Sequence, residues 1–171
     1  MNDALIIRPI DLPRDMDALA GLCWAYRDLL ITRTTHVPDM VERYYSREAY
    51  TALIADLPRI HARPLGEILV AELDGAVVGC AMYYRHPTGP CEVKRIFVNA
   101  AARGHGAGEK LLRAAMSGAK ADGHQVMVLD TVHTLTEAIA LYKRVGFKPA
   151  QPFYDPDPAY ADTLRFFAIQ L

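Results

Sequence analysis

Three glycines on alternating positions, Gly104, Gly106 and Gly108, follow an arginine and lead into an apolar, helix-forming run in the stretch "RIFVNAAARGHGAGEKLL" (95–112). Glycine tolerates positive φ and lets another group approach the backbone closely. At a helix start such residues leave N–H groups pointing outward at the positive end of the helix dipole, an arrangement suited to phosphate. Arg103 adds a fixed charge with several donors. The alternative is a tight turn that needs glycine for geometry alone. One glycine satisfies that alternative, and three behind an arginine favour the anion site. The phosphate-loop pattern GxxxxGK[ST] is absent, and GxGxxG fails because Glu109 stands at the third glycine position.

These residues must be held by the elements around them. "LIIRPI" reads as a first strand, and Asp11 with Pro13 offers a helix start for a face of Met16, Leu19, Cys23, Tyr26 and Leu30. A second helix is expected from Asp39, carrying Val41, Tyr44, Tyr45, Ala49, Leu53 and Leu57. "GEILVAELDGAVVGCAMYY" is a hairpin turning at Asp74-Gly75, and "CEVKRIFV" is the next strand. After the glycine loop comes a helix burying Leu111, Leu112, Ala115, Met116 and Ala119, then the buried strand "HQVMVLDTV". Thr134 with Glu137 makes a capping box for a helix that ends at Gly146, and "DTLRFFAIQL" is the last strand. The order is βααβββαβαβ, with room for a further short strand at "FKPAQ". This is an α/β chain of the α+β kind, a mixed sheet with helices on its faces, in one domain spanning residues 1–171.

The motif Arg-x-x-Gly-x-Gly, as Arg103, Gly106 and Gly108, resembles the acetyl-CoA pyrophosphate loop of the GNAT acetyltransferase superfamily. "LDTVHTLTEAIALYKRVGF" resembles that family's next strand and the helix ending in Tyr-x-x-x-Gly-Phe, and "VAELDGAVVGCAMYY" its preceding hairpin. The resemblance covers most of the chain and is least diagnostic over residues 30–65. It implies a mostly antiparallel sheet whose adjacent strands splay at the site, so that the backbone of Ile96, Phe97 and Val98 binds the pantetheine and acetyl carbonyl. Arg103, Gly104, His105, Gly106, Ala107 and Gly108 would cradle the pyrophosphate. Glu109 departs from the family's usual basic or neutral residue, an acid that suits the dipole but repels phosphate, with Lys110 as a compensating charge. Leu135 replaces a frequent asparagine seven positions before the tyrosine.

The resemblance implies acetyl transfer from acetyl-CoA to a primary amine of a small molecule or peptide by direct attack. Tyr142 stands where the family carries the group that protonates the departing thiolate, and a phenol is a competent acid toward it. Glu92 is the base candidate, working through water or after burial raises its pKa; its alternative is a surface glutamate paired with Lys94 or Arg95. Asp130 and Thr131 are candidates for holding the substrate ammonium. On the acceptor side stand Tyr26, Tyr154, Arg33, Tyr44, Tyr45 and Asp155, with "PFYDPDP" shaping the pocket. A transferase for another acyl group and a non-catalytic acyl-CoA sensor of the same fold remain as alternatives. Family members often pair, so a homodimer is an expectation too.

Composition excludes several other classes. The net charge of −1, without a basic block, gives no encouragement to nucleic acid or anionic membranes. Three scattered cysteines without a CxxC pair fit a reducing compartment, and the acidic start lacks a signal peptide's flank, so a cytoplasmic location is expected. The six histidines show no HxxxH or other metal spacing, so no metal is expected. Cys91 has no His–Asp constellation to make it a nucleophile.

Overall fold

A computed structural model describes residues 5–87 and 89–171, with the backbone alone at residue 101. The elements run β1 (Ile6–Pro9), α1 (Met16–Arg33), α2 (Met40–Tyr44), α3 (Arg47–Ile60), β2 (Gly66–Leu73), β3 (Ala76–Arg85), β4 (Cys91–Val98), a 3₁₀ turn (Ala100–Ala102), α4 (Ala107–Ala121), β5 (Val126–Val132), α5 (Thr136–Val145), β6 (Lys148–Pro149) and β7 (Leu164–Gln170). The strands form one seven-stranded sheet in the order β1-β2-β3-β4-β5-β7-β6. Only β4 and β5 pair in parallel; every other neighbouring pair is antiparallel. The expected mixed sheet is borne out, and so is a short strand within "FKPAQ".

Two local expectations are corrected. The second helix is two helices, α2 and α3, because Ser46 leaves the helical region (φ −53, ψ 151) and its side chain accepts a hydrogen bond from the Ala49 amide at 3.2 Å. A serine cap of this kind competes with helix continuation and wins here. The capping box at Thr134 does not form. α5 starts at Thr136 without a side-chain cap, and the Glu137 carboxylate is taken by Arg33 from α1. By contrast, Asp74 (φ 51) and Gly75 (φ 82) make the expected hairpin turn, and Gly146 (φ 116) ends α5 in the left-handed region.

Alternation along the strands sends apolar side chains to both faces, and helices cover each. On one face α4 and α5 bury Leu111, Leu112, Ala115 and Val145 against Leu69, Val93, Met127 and Phe167. On the other, α1 and α3 bury Leu19, Cys23, Tyr50 and Leu57 against Ile68, Cys80 and Met82. A third cluster joins the end of α1 and α2 to β5 and β7 through Leu30, Met40, Val132, Leu164 and Phe166. The first and third clusters flank the place where the sheet opens.

Candidate active site

The opening lies between the two parallel strands. Cys91 and Glu92 pair with Met127 and Val128, and beyond them β4 and β5 have no paired residues. A bulge on β4 strengthens the bend: Phe97 pairs with Cys80 and Lys94 with Met82, so Arg95 and Ile96 together face Ala81. Arg95 takes the extra turn with φ 51, a conformation uncommon for a side chain of its size. The backbone of Ile96, Phe97 and Val98 therefore borders a gap instead of a strand, as the resemblance implied.

A groove of about 800 Å³ runs into this gap between α1 and α5. Its walls include Ile96, Phe97, Val98, Arg103, the loop glycines and Tyr142. Gly104 (φ 83) and Gly106 (φ 69) hold left-handed conformations that a side chain would strain. Gly108 lies inside α4, and a Cβ there would stand 3.4 Å from the Leu141 side chain, so its role is close packing of α4 on α5. No side chain caps the start of α4, which leaves its first-turn amides to the groove. Arg103 is exposed beside them, and His105 turns its ring nitrogen Nδ1 to within 3.2 Å of the Arg103 carbonyl oxygen. A glycine-shaped turn, uncapped amides and an adjacent guanidinium fit a diphosphate chemically.

Glu109 does line the groove, yet its charge is compensated. Arg113 donates to one carboxylate oxygen at 2.9 Å and Arg144 to the other at 3.1 Å, and these two guanidinium groups hold the carboxyl below its usual pKa. The neutralising role expected of Lys110 thus falls to Arg113 and Arg144. Arg33 is also relocated: instead of the acceptor side it lines the groove, and it clasps Glu137 (2.6 and 3.1 Å) and the Thr134 carbonyl (2.9 Å) across it. Leu135 lines the groove as a buried apolar residue.

At its inner end the groove meets a constriction of about 30 Å³ lined by Tyr26, Tyr142, Lys94, Arg95, Ile96 and Asp130, among others. Tyr142 is only 7% exposed; burial pushes its phenol up, and the Asp130 carboxylate pushes it further, so the hydroxyl keeps its proton. Beyond the constriction lies a pocket of about 240 Å³. Tyr26, Tyr44, Tyr45, Tyr84 and Tyr154 surround it, together with Glu92, Lys94, Asp130, Thr131 and His86. Tyr26 borders groove, constriction and pocket alike.

The carboxylates in the pocket are differently held. Glu92 is 2% exposed, accepts from the Tyr84 hydroxyl at 2.8 Å and Lys94 Nζ at 2.7 Å, and lies 3.8 Å from His86 Nε2. Asp130 Oδ2 accepts from the Tyr154 hydroxyl at 2.6 Å, and Asp130 borders both pocket and constriction. Burial disfavours the Lys94 charge, but Tyr45, Asp130 and Glu92 outweigh it and keep its pKa above the ordinary value. Asp155 is exposed and does not join the pocket wall. Cys91 is fully buried, and burial pushes its thiol up to about 12. Among the described residues no group of three His, Cys, Asp or Glu side chains is placed to hold a metal ion, and no helix is long and apolar enough to cross a membrane.

The sequence model of the acetyltransferase (GNAT) family matches residues 27–147, which takes in the bulged strand, the glycine loop and the Tyr142 helix. The chain belongs to that family. An uncharacterized N-acetyltransferase of Schizosaccharomyces pombe is 37% identical over 105 residues, 59% of this GNAT chain and 63% of the relative, so the match spans less than two thirds of that protein. A GNAT-family acetyltransferase from Staphylococcus aureus superposes with a TM-score of 0.73 at 18% identity, covering 98% of this chain and 99% of that one. The Salmonella typhimurium protein yncA, solved with its cofactor acetyl-CoA, superposes with a TM-score of 0.67 at 20% identity over 98% of this chain and 94% of its own. At those identities the two structures establish the fold of this GNAT domain.

Sequence reasoning missed part of the acceptor wall. Tyr84 reaches Glu92 because the two residues are directly opposed in the β3–β4 ladder. The register that opposes them is readable only once the hairpin and the next strand are aligned. Arg95 carried no signal, because nothing in "CEVKRIFV" marks where a bulge falls.

Proposed function

We propose that the chain transfers the acetyl group of acetyl-CoA to a primary amine, both substrates being bound at once and the amine attacking directly. The observation that carries this reading is the meeting of groove and pocket at a single constriction. Two substrates entering from opposite ends have one place to react, and both are then held in the orientation the reaction requires. The Salmonella neighbour solved with acetyl-CoA supports the choice of cofactor.

The geometry supports the following roles. First-turn amides of α4 and Arg103 bind the pyrophosphate, and the β5-facing edge of β4 at Ile96, Phe97 and Val98, which has no partner in β5, receives the pantetheine and polarises the acetyl carbonyl. Asp130 reaches the constriction and holds the incoming ammonium, with Thr131 and Tyr154 beside it. Glu92 borders only the pocket, so it accepts the amine's proton through a water. Tyr142, buried and protonated, gives its proton to the departing sulfur. Cys91, buried with its thiol raised to about 12, takes no part, which supports direct attack by the amine.

Isothermal titration with acetyl-CoA, repeated on the Arg103→Ala/Gly106→Val double variant, tests the reading. Saturable binding by the wild type, lost in the folded variant, is the expected result. A folded wild type that does not bind acetyl-CoA overturns the proposal.

A further inference from the structure

One cation in the site has no carboxylate partner among the described residues. Arg95 is 8% exposed, sits at the bulge where β4 leaves β5, and borders the constriction. A guanidinium keeps its charge at any working pH, and an isolated buried charge is costly unless something compensates it. Among the described residues no carboxylate lies within ion-pair distance of Arg95; the acid on its own strand, Glu92, is engaged by Lys94 and Tyr84. Nη1 of Arg95 donates to the Met82 sulfur at 4.0 Å, a weak acceptor, the Tyr50 hydroxyl accepts a second hydrogen bond, and the phenols of Tyr26 and Tyr45 stand nearby, all of them uncharged groups. A cation without a carboxylate partner therefore belongs to a residue that lines the constriction.

The charges around that point balance. Glu92 and Asp130 are acids, Lys94 and Arg95 are bases, and all four border the pocket or the constriction. An acceptor carrying only an ammonium would leave one positive charge in excess. An acceptor carrying an ammonium and a carboxylate would leave the site neutral. In an α-amino acid these groups are separated by one carbon, so an amine at Asp130 places its carboxylate within the same constriction as Arg95. The remaining side chain would then lie in the tyrosine-lined pocket of about 240 Å³, beside Met40, Leu30 and Leu164.

We propose that the acceptor is a free α-amino acid with an aromatic or large apolar side chain, and that Arg95 selects it by pairing with its α-carboxylate. The inference rests on the acetyl-transfer reading above and names the substrate class for it. It makes Arg95 a residue that sets specificity, while the proton transfers remain with Glu92 and Tyr142.

The test compares matched pairs that differ only in the carboxylate: phenylalanine with 2-phenylethylamine, tyrosine with tyramine, and leucine with 3-methylbutylamine. Each is assayed by release of CoA thiol from acetyl-CoA, with wild type, Arg95→Lys and Arg95→Gln. In the wild type kcat/KM is expected to favour the amino acid of each pair by roughly tenfold or more, the worth of a charge-assisted pair in a desolvated site. Arg95→Gln should bring that ratio to about one, and Arg95→Lys should restore part of it, in proteins whose retained acetyl-CoA titration shows that they are folded. A folding defect alone would lower both members of a pair together and leave the ratio unchanged. Wild-type ratios at or below one, or a ratio indifferent to Arg95, overturn the inference and leave acetyl transfer standing. Acetyl-CoA binding without thiol release for any of the six compounds overturns it as well. Failure to bind acetyl-CoA overturns the underlying reading instead.

Discussion

The Tyr154 hydroxyl donates a 2.6 Å hydrogen bond to Asp130 Oδ2, tying the proline-rich segment before β7 to the end of β5 at the mouth of the constriction. The bond restrains the carboxylate through one of its two oxygens. Burial and the adjacent Asp130 charge raise the Tyr154 phenol, so the donor persists through any ordinary assay pH. Tyr154→Phe removes this restraint without touching the cofactor groove. Acceptor kcat/KM should fall roughly fivefold to tenfold, with acetyl-CoA affinity unchanged, as measured by steady-state rates and titration calorimetry. Unaltered rates would take the Asp130–Tyr154 pair out of the acceptor's path.

Glu109 gives a prediction of opposite sign. Its carboxylate lines the groove and engages Arg113 and Arg144. Glu109→Gln leaves both guanidinium groups unneutralised near the start of α4, where phosphate is expected. Acetyl-CoA should bind about twofold to fivefold more tightly at low salt, and the gain should shrink as salt is raised. Weaker binding in the variant would show that the two arginines need Glu109 to hold them in place.

Tyr142 yields a pH signature. Because burial and Asp130 hold its phenol above the ordinary value, it stays protonated through the alkaline range in which enzymes are usually assayed. Tyr142→Phe is expected to lower kcat by roughly 100-fold. The deficit should be the same at every pH from about 6 to 10, the upper bound being the ordinary phenol value. Acetyl-CoA binding should persist. No deficit at any pH would point to solvent as the proton donor, and one that disappears at high pH would show that the phenol ionises within this range.

His61 governs stability, not chemistry. It is 3% exposed, its Nδ1 lies 3.0 Å from the Tyr83 carbonyl oxygen, and burial pushes the imidazole down to about 4. An unfolded histidine takes up its proton near pH 6.5, so between those values the unfolded state binds more protons than the folded one. Stability is therefore fully retained above about pH 6.5 and declines as the pH falls toward 4, by on the order of 3 kcal/mol from this one group. Denaturant midpoints at pH 7.5 and 4.5 should differ less in His61→Gln than in the wild type. Equal differences would place the acid lability elsewhere.

Much of the site was readable in the chain because its parts are local. Positive φ at Gly104 and Gly106 follows from glycine itself, and the distance from the loop to Tyr142 is a matter of one helix and one strand. What escaped depended on partners far apart. Thr134 and Glu137 have the spacing of a capping box, yet Glu137 answers to Arg33, which lies 104 positions away. Arg33 looked like an acceptor residue because its helix borders both substrate regions, and only the packing of α1 on α5 decides which side it serves. Ser46 was the opposite failure. Its local cap was available in the sequence, but a continuous apolar period through Val41, Tyr45, Ala49 and Leu53 concealed the break.

Tyr26 borders the groove, the constriction and the pocket, so on the proposed reading a single residue is a party wall between two substrates. Whatever displaces it from one side is felt on the other, and the two affinities become linked quantities. Such linkage is reciprocal: the factor by which acetyl-CoA alters amine binding must equal the factor by which the amine alters acetyl-CoA binding. Enlarging or shrinking residue 26 would thus change how strongly the two substrates sense each other, beyond any change in how tightly each binds alone.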